Sequence, residues 1–431
     1  MESHEYIDKT VEILKNRFYF AVSKFSVYKR LKNSRNYQYI CFDEELRYRN
    51  FFHDFGPLNI SCLYKYSCKV TKMLQNFRGR KKIVHYTSHD PNKKANAAYL
   101  VGCFAVVCMK MEPFEVYKIL LITEPYKQFV DALQRTSVHT IRLFDCFSGV
   151  AKALQYNLFD FTDFNVQEYD VCDQVEKGNM NWIIPRKFLA FLGPTEPRVG
   201  VGHTPGFYLE YFLQHDIKTV IRLNDKLYDS SVFTRIGIEH HDLFFDDGSV
   251  PSMDILLSFL RITETAPAAI AVHCKLISPL KAGLGRTGTL IGAYLVKHYS
   301  MTAKEAVAWL RICRPGSVTG AQQAFLEDNE GWLWRSGSEY RIRHYGDETR
   351  MPQHKYGIYS KQWPVDRSRI INEARRKLRL NDLNCHYRAL RQMDEKQYLR
   401  HVSKLLASVR SYEADKLRDK VGKVLTGFPK Y

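Results

Sequence analysis

With 431 residues, 45% of them apolar and 53 of them Phe or Tyr, the chain is long enough for two or three domains and carries the large side chains to fill their cores, which excludes a disordered or fibrous protein. It contains no run of about 18 uncharged apolar residues, and Glu2, His4 and Glu5 stand where a basic and then apolar leader would begin, so a soluble intracellular protein without membrane insertion is expected. Its 10 cysteines show no regular spacing and no Cys-x-x-Cys pair, the pattern of reduced thiols rather than of disulfides or a zinc site.

From Phe18 to about Phe164 strand-like and helix-like segments alternate. Phe18-Tyr-Phe-Ala-Val and Tyr37-Gln-Tyr-Ile-Cys-Phe, aromatic and β-branched between turn formers, predict strands. The breaker Phe55-Gly-Pro-Leu-Asn precedes a helical pattern from Ile60 to Leu74. A short strand at Lys82-Ile-Val-His-Tyr86 leads through a loop into an apolar helix over Asn96 to Cys108, and another helix opens with Pro113 near its first turn. An acidic stretch from Phe164 to Glu176 has helical spacing and ends at Gly178, which predicts an inter-domain linker helix over 164–180.

From Asn181 to about Trp334 strands are expected at Phe188-Leu-Ala-Phe-Leu, Thr219-Val-Ile-Arg-Leu and Gly237-Ile-Glu-His-His-Asp-Leu-Phe-Phe. Helices are expected over Phe207 to Gln214, Ser252 to Leu260, Leu290 to His298 and Ala303 to Arg311, the last opened by the capping box Thr302-x-x-Glu305. This is a mixed sheet flanked by helices, the α/β class. From Arg335 to Tyr431, 23 Lys and Arg stand against 11 Asp and Glu, so most of the net charge of +18 lies in a basic, partly helical tail. No nucleic-acid fold signature accompanies it. The tail, with Arg375-Arg-Lys-Leu-Arg379, is expected to act on location rather than on catalysis.

The chemistry concentrates in Ala268-Ala-Ile-Ala-Val-His-Cys274 and, after an interruption, Ala282-Gly-Leu-Gly-Arg286-Thr-Gly-Thr-Leu-Ile-Gly. An apolar strand ending in His-Cys and a Gly-rich loop opening a helix make an anion site, because the glycines let successive N–H groups turn inward and the helix start adds partial positive charge. A cysteine there would be held toward its thiolate by that dipole and by Arg286. The segment from Lys82 to the helix at Pro113 echoes this order of parts, with His85-Tyr86 where His273-Cys274 stands, so the first unit has no nucleophile and is expected to support rather than catalyse. If such a site transferred a phosphoryl group to sulfur, it would also need an acid for the leaving oxygen. Asp246 and Asp247 in Phe244-Phe-Asp-Asp-Gly-Ser-Val-Pro251 are the candidates, kept protonated by desolvation and the nearby phosphate. Amides of Gln322 and Gln323 in Arg314-Pro-Gly-Ser-Val-Thr-Gly-Ala-Gln-Gln could position the hydrolytic water.

The central segment resembles the His-Cys-x5-Arg-Ser/Thr signature of cysteine-based protein phosphatases. Phe55-Gly-Pro-Leu-Asn, Arg80-Lys-Lys-Ile-Val-His-Tyr-Thr, Ala95-Asn-Ala-Ala, Asn181-Trp-Ile-Ile-Pro, Lys187-Phe-Leu-Ala-Phe, His241-Asp-Leu-Phe-Phe, Asp247-Gly-Ser and Arg311-Ile-Cys-Arg-Pro-Gly-Ser-Val together resemble the cell division cycle fourteen family of dual-specificity phosphatases, over roughly Phe18 to Leu333. The resemblance implies an N-terminal non-catalytic phosphatase-like domain (1–163), the linker helix (164–180), a catalytic domain (181–334) and a tail (335–431). It implies Cys274 as nucleophile, Arg286 as the clamp on the phosphate with the backbone of Ala282, Gly283, Leu284, Gly285 and Thr287, the Thr287 hydroxyl easing thiolate departure, and Asp247 as general acid. Asp170 and Asp173 match the family's acidic substrate groove, while Asn179 stands where it often has another acid. The implied substrates are phosphoproteins with phosphoserine before proline at cyclin-dependent kinase sites, and phosphotyrosine; no cofactor or metal is implied. The implied setting is mitotic exit and cytokinesis, in nucleus, nucleolus and cytoplasm, with spindle or centrosome association.

One departure is plain: Cys274 and Arg286 are separated by 11 residues where the signature has five. Removing Leu276-Ile-Ser-Pro-Leu-Lys281, or equally Lys275 to Leu280, restores His-Cys-Lys-Ala-Gly-Leu-Gly-Arg-Thr-Gly. Extra residues that include Pro279, which has no N–H, cannot be threaded unchanged through a cradle of consecutive amides. The insert is therefore read as a gene-model or splice-form artefact, the alternative being a catalytically dead phosphoprotein-binding scaffold.

Overall fold

The computed structural model describes residues 7–24, 31–77, 80–133, 138–195, 202–274 and 283–363. The inserted residues 276–281, Ala282 and the basic stretch beyond 363 lie outside them. In the first unit β1 (Ile7–Leu14) pairs antiparallel with β2 (Phe18–Ser23), and β2, β3 (Tyr37–Ile40) and β4 (Lys82–Thr87) run parallel in the order β1-β2-β4-β3. Between these strands and after them come α1 (Ile60–Phe77), α2 (Pro91–Met109), α3 (Pro113–Leu120), the small hairpin β5 (Phe129–Val130) and β6 (Thr140–Ile141), and α4 (Leu143–Gln155). The helix α5 (Val166–Cys172) lies in the predicted linker.

The second unit repeats this plan. Its hairpin is β7 (Asn181–Ile184) with β8 (Phe188–Leu192), and β9 (Ile217–Arg222), β10 (Glu239–Asp242) and β11 (Ala269–Cys274) join β8 in parallel, in the order β10-β9-β11-β8-β7. The order of the first sheet is that of the second without its outer strand, so the internal echo read from the sequence is a repeat of topology. Its helices are α6 (Pro205–Gln214), α7 (Ser231–Thr234), α8 (Met253–Thr265), α9 (Gly285–Tyr299), α10 (Ala303–Cys313) and α11 (Ala321–Tyr345). Every residue of β11 is buried, because a central parallel strand is covered on both faces, and its run Ala-Ile-Ala-Val suits that place. The capping box forms as expected: Glu305 N donates to Thr302 Oγ1 at 3.1 Å and Thr302 N to Glu305 Oε2 at 2.7 Å.

The two units share a packed interface. Lys152 of α4 reaches Glu305 Oε2 (2.7 Å) and Ser300 O (2.6 Å) in the second unit, and Gly320 N donates to Asp131 Oδ2 at 2.6 Å. Tyr169 of α5 donates to Cys313 O at 3.0 Å.

The expected boundary at 335 does not hold. The helix α11 runs on to Tyr345, and beyond it Ile358 and Tyr359 are buried, with Ile358 N donating to Leu158 O and Asn165 N to Tyr359 O, both at 2.7 Å. Tyr359 Oη donates to Met180 O (3.2 Å) and accepts from Trp182 N (3.1 Å), and Trp363 meets Trp182 edge to face at 5.1 Å. Buried aromatic area, not net charge, decides where this unit ends, and residues 335–363 belong to it.

Candidate active site

The strand β11 delivers Cys274 to the C-terminal edge of the sheet, and α9 starts beside it with Gly285, Arg286 and Thr287, all buried. Thr287 Oγ1 donates to Cys274 Sγ at 3.2 Å. A side chain on Gly283 would collide with the sulfur and carbonyl of Cys274, and one on Gly285 would stand 2.6 Å from Gln322 Oε1 and 2.9 Å from Thr319 Oγ1. Both glycines are thus required by close approach, as a phosphate cradle demands. Leu284 is buried next to them.

Arg286 is 2% exposed and fixed through one nitrogen: Nη1 donates to Phe245 O at 2.8 Å, with Leu223 O at 3.5 Å. Its Nε and Nη2 are buried and have no hydrogen-bond partner among the described residues. Two parallel N–H groups without hydrogen-bond partners on an anchored guanidinium have the fork geometry that can bind two oxygens of a phosphate. Asp247 Oδ1 lies 3.5 Å from Nη2 with its side chain half exposed, whereas Asp246 is exposed and makes no ion pair with the guanidinium among the described residues. Geometry therefore favours Asp247 as the acid. Its exposure also shows that the expected desolvation is not supplied by the fold alone.

Gln322 and Gln323 part company. Gln322 Nε2 donates to Ser249 O (3.1 Å) and its Oε1 accepts from Thr319 N and Oγ1 (3.2 Å each), so it ties the acid loop to the loop before α11. Gln323 Nε2 donates to Thr140 O and Glu327 Oε1, both at 3.0 Å, which commits its amide to the first unit and to its own helix.

Asp170 and Asp173 lie at the junction of the units. Asp170 accepts from Ser61 Oγ at 2.6 Å and pairs with Lys65 Nζ at 2.7 Å. Asp173 Oδ1 accepts from Asn181 Nδ2 at 2.9 Å, and burial pushes its carboxyl above the usual range against the pull of Arg314 and Arg49. Burial lowers Arg314 against the opposing pull of Asp173, and its Nη1 donates to Asn179 O (2.8 Å) and Asn181 Oδ1 (2.5 Å).

A family model described as "Dual specificity protein phosphatase, N-terminal half" matches residues 12–153, and one described as "Polymorphic toxin system, DSP-PTPase phosphatase" matches residues 195–300. The chain is 48% identical over 339 residues to mouse "Dual specificity protein phosphatase CDC14B", covering 77% of this chain and 68% of that one. It is 47% identical to human CDC14C, covering 80% of this chain and 75% of the relative, and 47% identical to human CDC14A, covering 77% and 55%. The chain belongs to the CDC14 family of dual-specificity phosphatases.

In this CDC14 chain the corresponding place in the first unit is built differently. Tyr86 takes the cysteine's place, and Asp43 accepts from Thr87 Oγ1 and Ser88 N at 2.9 Å each. Asp90 caps α2 through Asn92 N (3.0 Å) and Lys93 N (2.9 Å). Carboxylates of the chain itself thus hold the donors that a phosphate would need.

A buried hydrogen-bonded group next to Cys274 was not legible in the sequence. Tyr228 Oη stands 2.8 Å from His273 Nε2 and 2.7 Å from His240 Nε2, so the hydroxyl donates to one ring and accepts from the other. Burial first, then the charges of nearby cations, holds both rings well toward neutrality: His240 falls to about 4 and His273 lies well below the ordinary range. Arg222 anchors the group, forking onto Asp242 at 2.7 and 3.0 Å and donating to Tyr228 O at 2.9 Å. The one available signal was a charged residue inside the apolar run Thr219-Val-Ile-Arg222-Leu.

Proposed function

We propose that the chain hydrolyses phosphoserine and phosphothreonine before proline, and phosphotyrosine, through a phosphocysteine intermediate. The observation that carries this is the free Nε and Nη2 pair of anchored Arg286 beside Cys274 Sγ. In the first step the Cys274 thiolate attacks phosphorus, the bond from phosphorus to the seryl oxygen breaks, and Asp247 gives that oxygen its proton. In the second, water attacks the phosphocysteine, Asp247 takes a proton from it, and the thiolate leaves into the hydrogen bond from Thr287. Arg286 and the amides from Gly283 onward hold the equatorial oxygens in both steps. Gln322, between the acid loop and α9, is the residue near the attacking water. The basic tail and the family point to control of mitotic exit and cytokinesis in nucleus and cytoplasm, with spindle or centrosome association.

The second reading, a phosphoprotein-binding scaffold, is favoured by the six extra residues between Cys274 and Arg286. Expressing the full chain beside a variant lacking residues 276–281, and assaying both on an aryl phosphate and a phosphoserine-proline peptide, separates the readings. Turnover by the deletion alone supports the chemistry, and the transcript across Cys274 to Arg286 then decides between an artefact and a true scaffold. Failure of both forms would remove the phosphatase reading.

A further inference from the structure

We propose that the first unit positions the phosphate cradle of the second through Asp131 and Phe51. These two side chains hold the loop 314–320 against the start of α9, so they are positioning residues that act through the loop and not on the substrate. This role rests on the reading of Gly283 to Thr287 as a phosphate cradle.

The loop backs the cradle closely. A side chain on Gly288 would stand 3.0 Å from both N and Cγ2 of Val318 and 3.2 Å from Ser317 Cβ, and one on Gly285 would stand 2.9 Å from Thr319 Oγ1. A shift of residues 317–319 is therefore passed to the helix start, because close-packed groups are not displaced singly. The loop is also bent into a conformation it would not keep alone. Val318 is fully buried and β-branched, yet its φ is +62°, a strained region that persists only where the surroundings over-determine it. Within the second unit Arg311 fixes the middle of the loop, Nε donating to Ser317 O (3.1 Å) and Nη2 to Val318 O (3.0 Å).

The first unit holds the loop from both sides. Asp131, directly after β5 and buried, accepts from Gly320 N at 2.6 Å through Oδ2. Gly320 caps α11, so the carboxylate sits at the start of the helix that carries Gln322, where negative charge is favoured. Its Oδ1 is buried with no hydrogen-bond partner among the described residues, a costly arrangement for a group that served stability alone. At the other side the Phe51 ring closes on Gly316, where a side chain would lie 2.8 Å from the ring and 2.7 Å from Leu284 Cδ1 of the cradle. Phe51 is itself set by the buried Asp54, whose Oδ1 accepts from Phe51 N (2.8 Å) and Phe52 N (2.7 Å) and whose Oδ2 accepts from Tyr48 Oη (2.7 Å).

The test compares Asp131→Ala, Asp131→Asn, Phe51→Ala and Lys152→Met by calorimetric titration with inorganic phosphate and by turnover of an aryl phosphate, in the full chain and in the form lacking residues 276–281. Lys152→Met is the control, since it breaks the contacts to Glu305 and Ser300 across the same interface but away from the loop. Asp131→Ala should weaken phosphate binding about three- to fivefold and lower kcat about 10-fold in whichever form binds and turns over, because a displaced cradle holds bound phosphate and transition state less well. Asp131→Asn keeps an acceptor for Gly320 N and should regain most of both. Phe51→Ala should follow Asp131→Ala in direction, and it is read by the same criterion should Asp131→Ala fail to fold. Lys152→Met should leave both values near those of the parent, even where its urea midpoint falls as far. A merely structural role would reduce the amount of folded protein and leave the phosphate dissociation constant unmoved. That result, or an equal loss of affinity in Lys152→Met, would overturn the proposal while the catalytic reading stands. If neither parent form binds phosphate, the catalytic reading falls and the positioning role with it.

Discussion

Thr287 donates its hydroxyl hydrogen to the sulfur of Cys274 across 3.2 Å, although the two stand 13 positions apart in the chain. On the proposed mechanism that bond would count most when sulfur is the leaving group of the second step. In whichever form of the chain turns over, Thr287→Ala should lower kcat by about 10- to 100-fold and produce a pre-steady-state burst, while Thr287→Ser retains most activity. An equal loss in both steps with no burst would show that Thr287 only packs.

Asp247 lies 3.5 Å from Arg286 Nη2 and half in solvent. Asp247→Asn should reduce kcat on a phosphoserine peptide by about 100-fold or more, with a smaller loss on an aryl phosphate whose leaving oxygen needs no proton. Inorganic phosphate should bind equally well. Matching losses on both substrates would take Asp247 out of proton transfer.

The two glutamines should separate cleanly. Gln323→Ala removes the donors to Thr140 O and Glu327, so it should lower stability by about 1–2 kcal/mol with kcat close to the parent value. Gln322→Ala frees the acid loop at Ser249 and should lower kcat with a lesser effect on stability. Steady-state kinetics and urea unfolding of both variants decide the matter, and a reversed pattern would contradict the assignment.

Ending the chain after Trp334 should destroy the fold, whereas ending it after Asp366 should not. The form ending at Trp334 lacks Tyr359, fully buried between Phe164, Tyr169 and Trp182, and burial of such a ring contributes about 1.5–3 kcal/mol. Soluble expression and the circular dichroism of both forms provide the check. A folded chain ending at 334 would restore the boundary expected from charge alone.

Acid should destabilise the protein below the ordinary histidine value of 6.5, because burial holds His85 at about 3 and His240 and His354 at about 4. With folded values below the unfolded one, the unfolded chain takes up protons first as pH falls. Stability is therefore complete above about 6.5 and is lost progressively toward about 3 to 4, by up to a few kcal/mol per ring. Urea midpoints at about pH 7.5, 6 and 5 should fall in that order; a flat series would mean that the rings protonate within the fold.

Local chemistry was legible from the residues because it is contiguous. The apolar strand ending at Cys274, the glycines before Arg286, the hydroxyl of Thr287 and the capping box at Thr302 all act on atoms within a turn or two of chain once the insert is set aside, so spacing alone carries their roles. The repeat was legible for the same reason: strand, loop and helix recur in order around His85 and His273. The strand β1 and the helix α4 escaped notice. The first alternates charged and apolar residues near the terminus, and the second is recognised by its packing onto α2 and α10 rather than by a strong opening signal.

Relations between distant segments were decided by tertiary structure, since no spacing records which buried groups will meet. Asp170 reads as a free groove acid until α1 brings Lys65 to 2.7 Å, and Gln323 reads as a water ligand until the first unit offers it Thr140 O. Likewise the stretch after Trp334 reads as basic tail until Tyr359 is seen between the linker and β7. The charge of a residue is set by its type, but what that charge acts on is set by what the fold places against it and by how much water it leaves there.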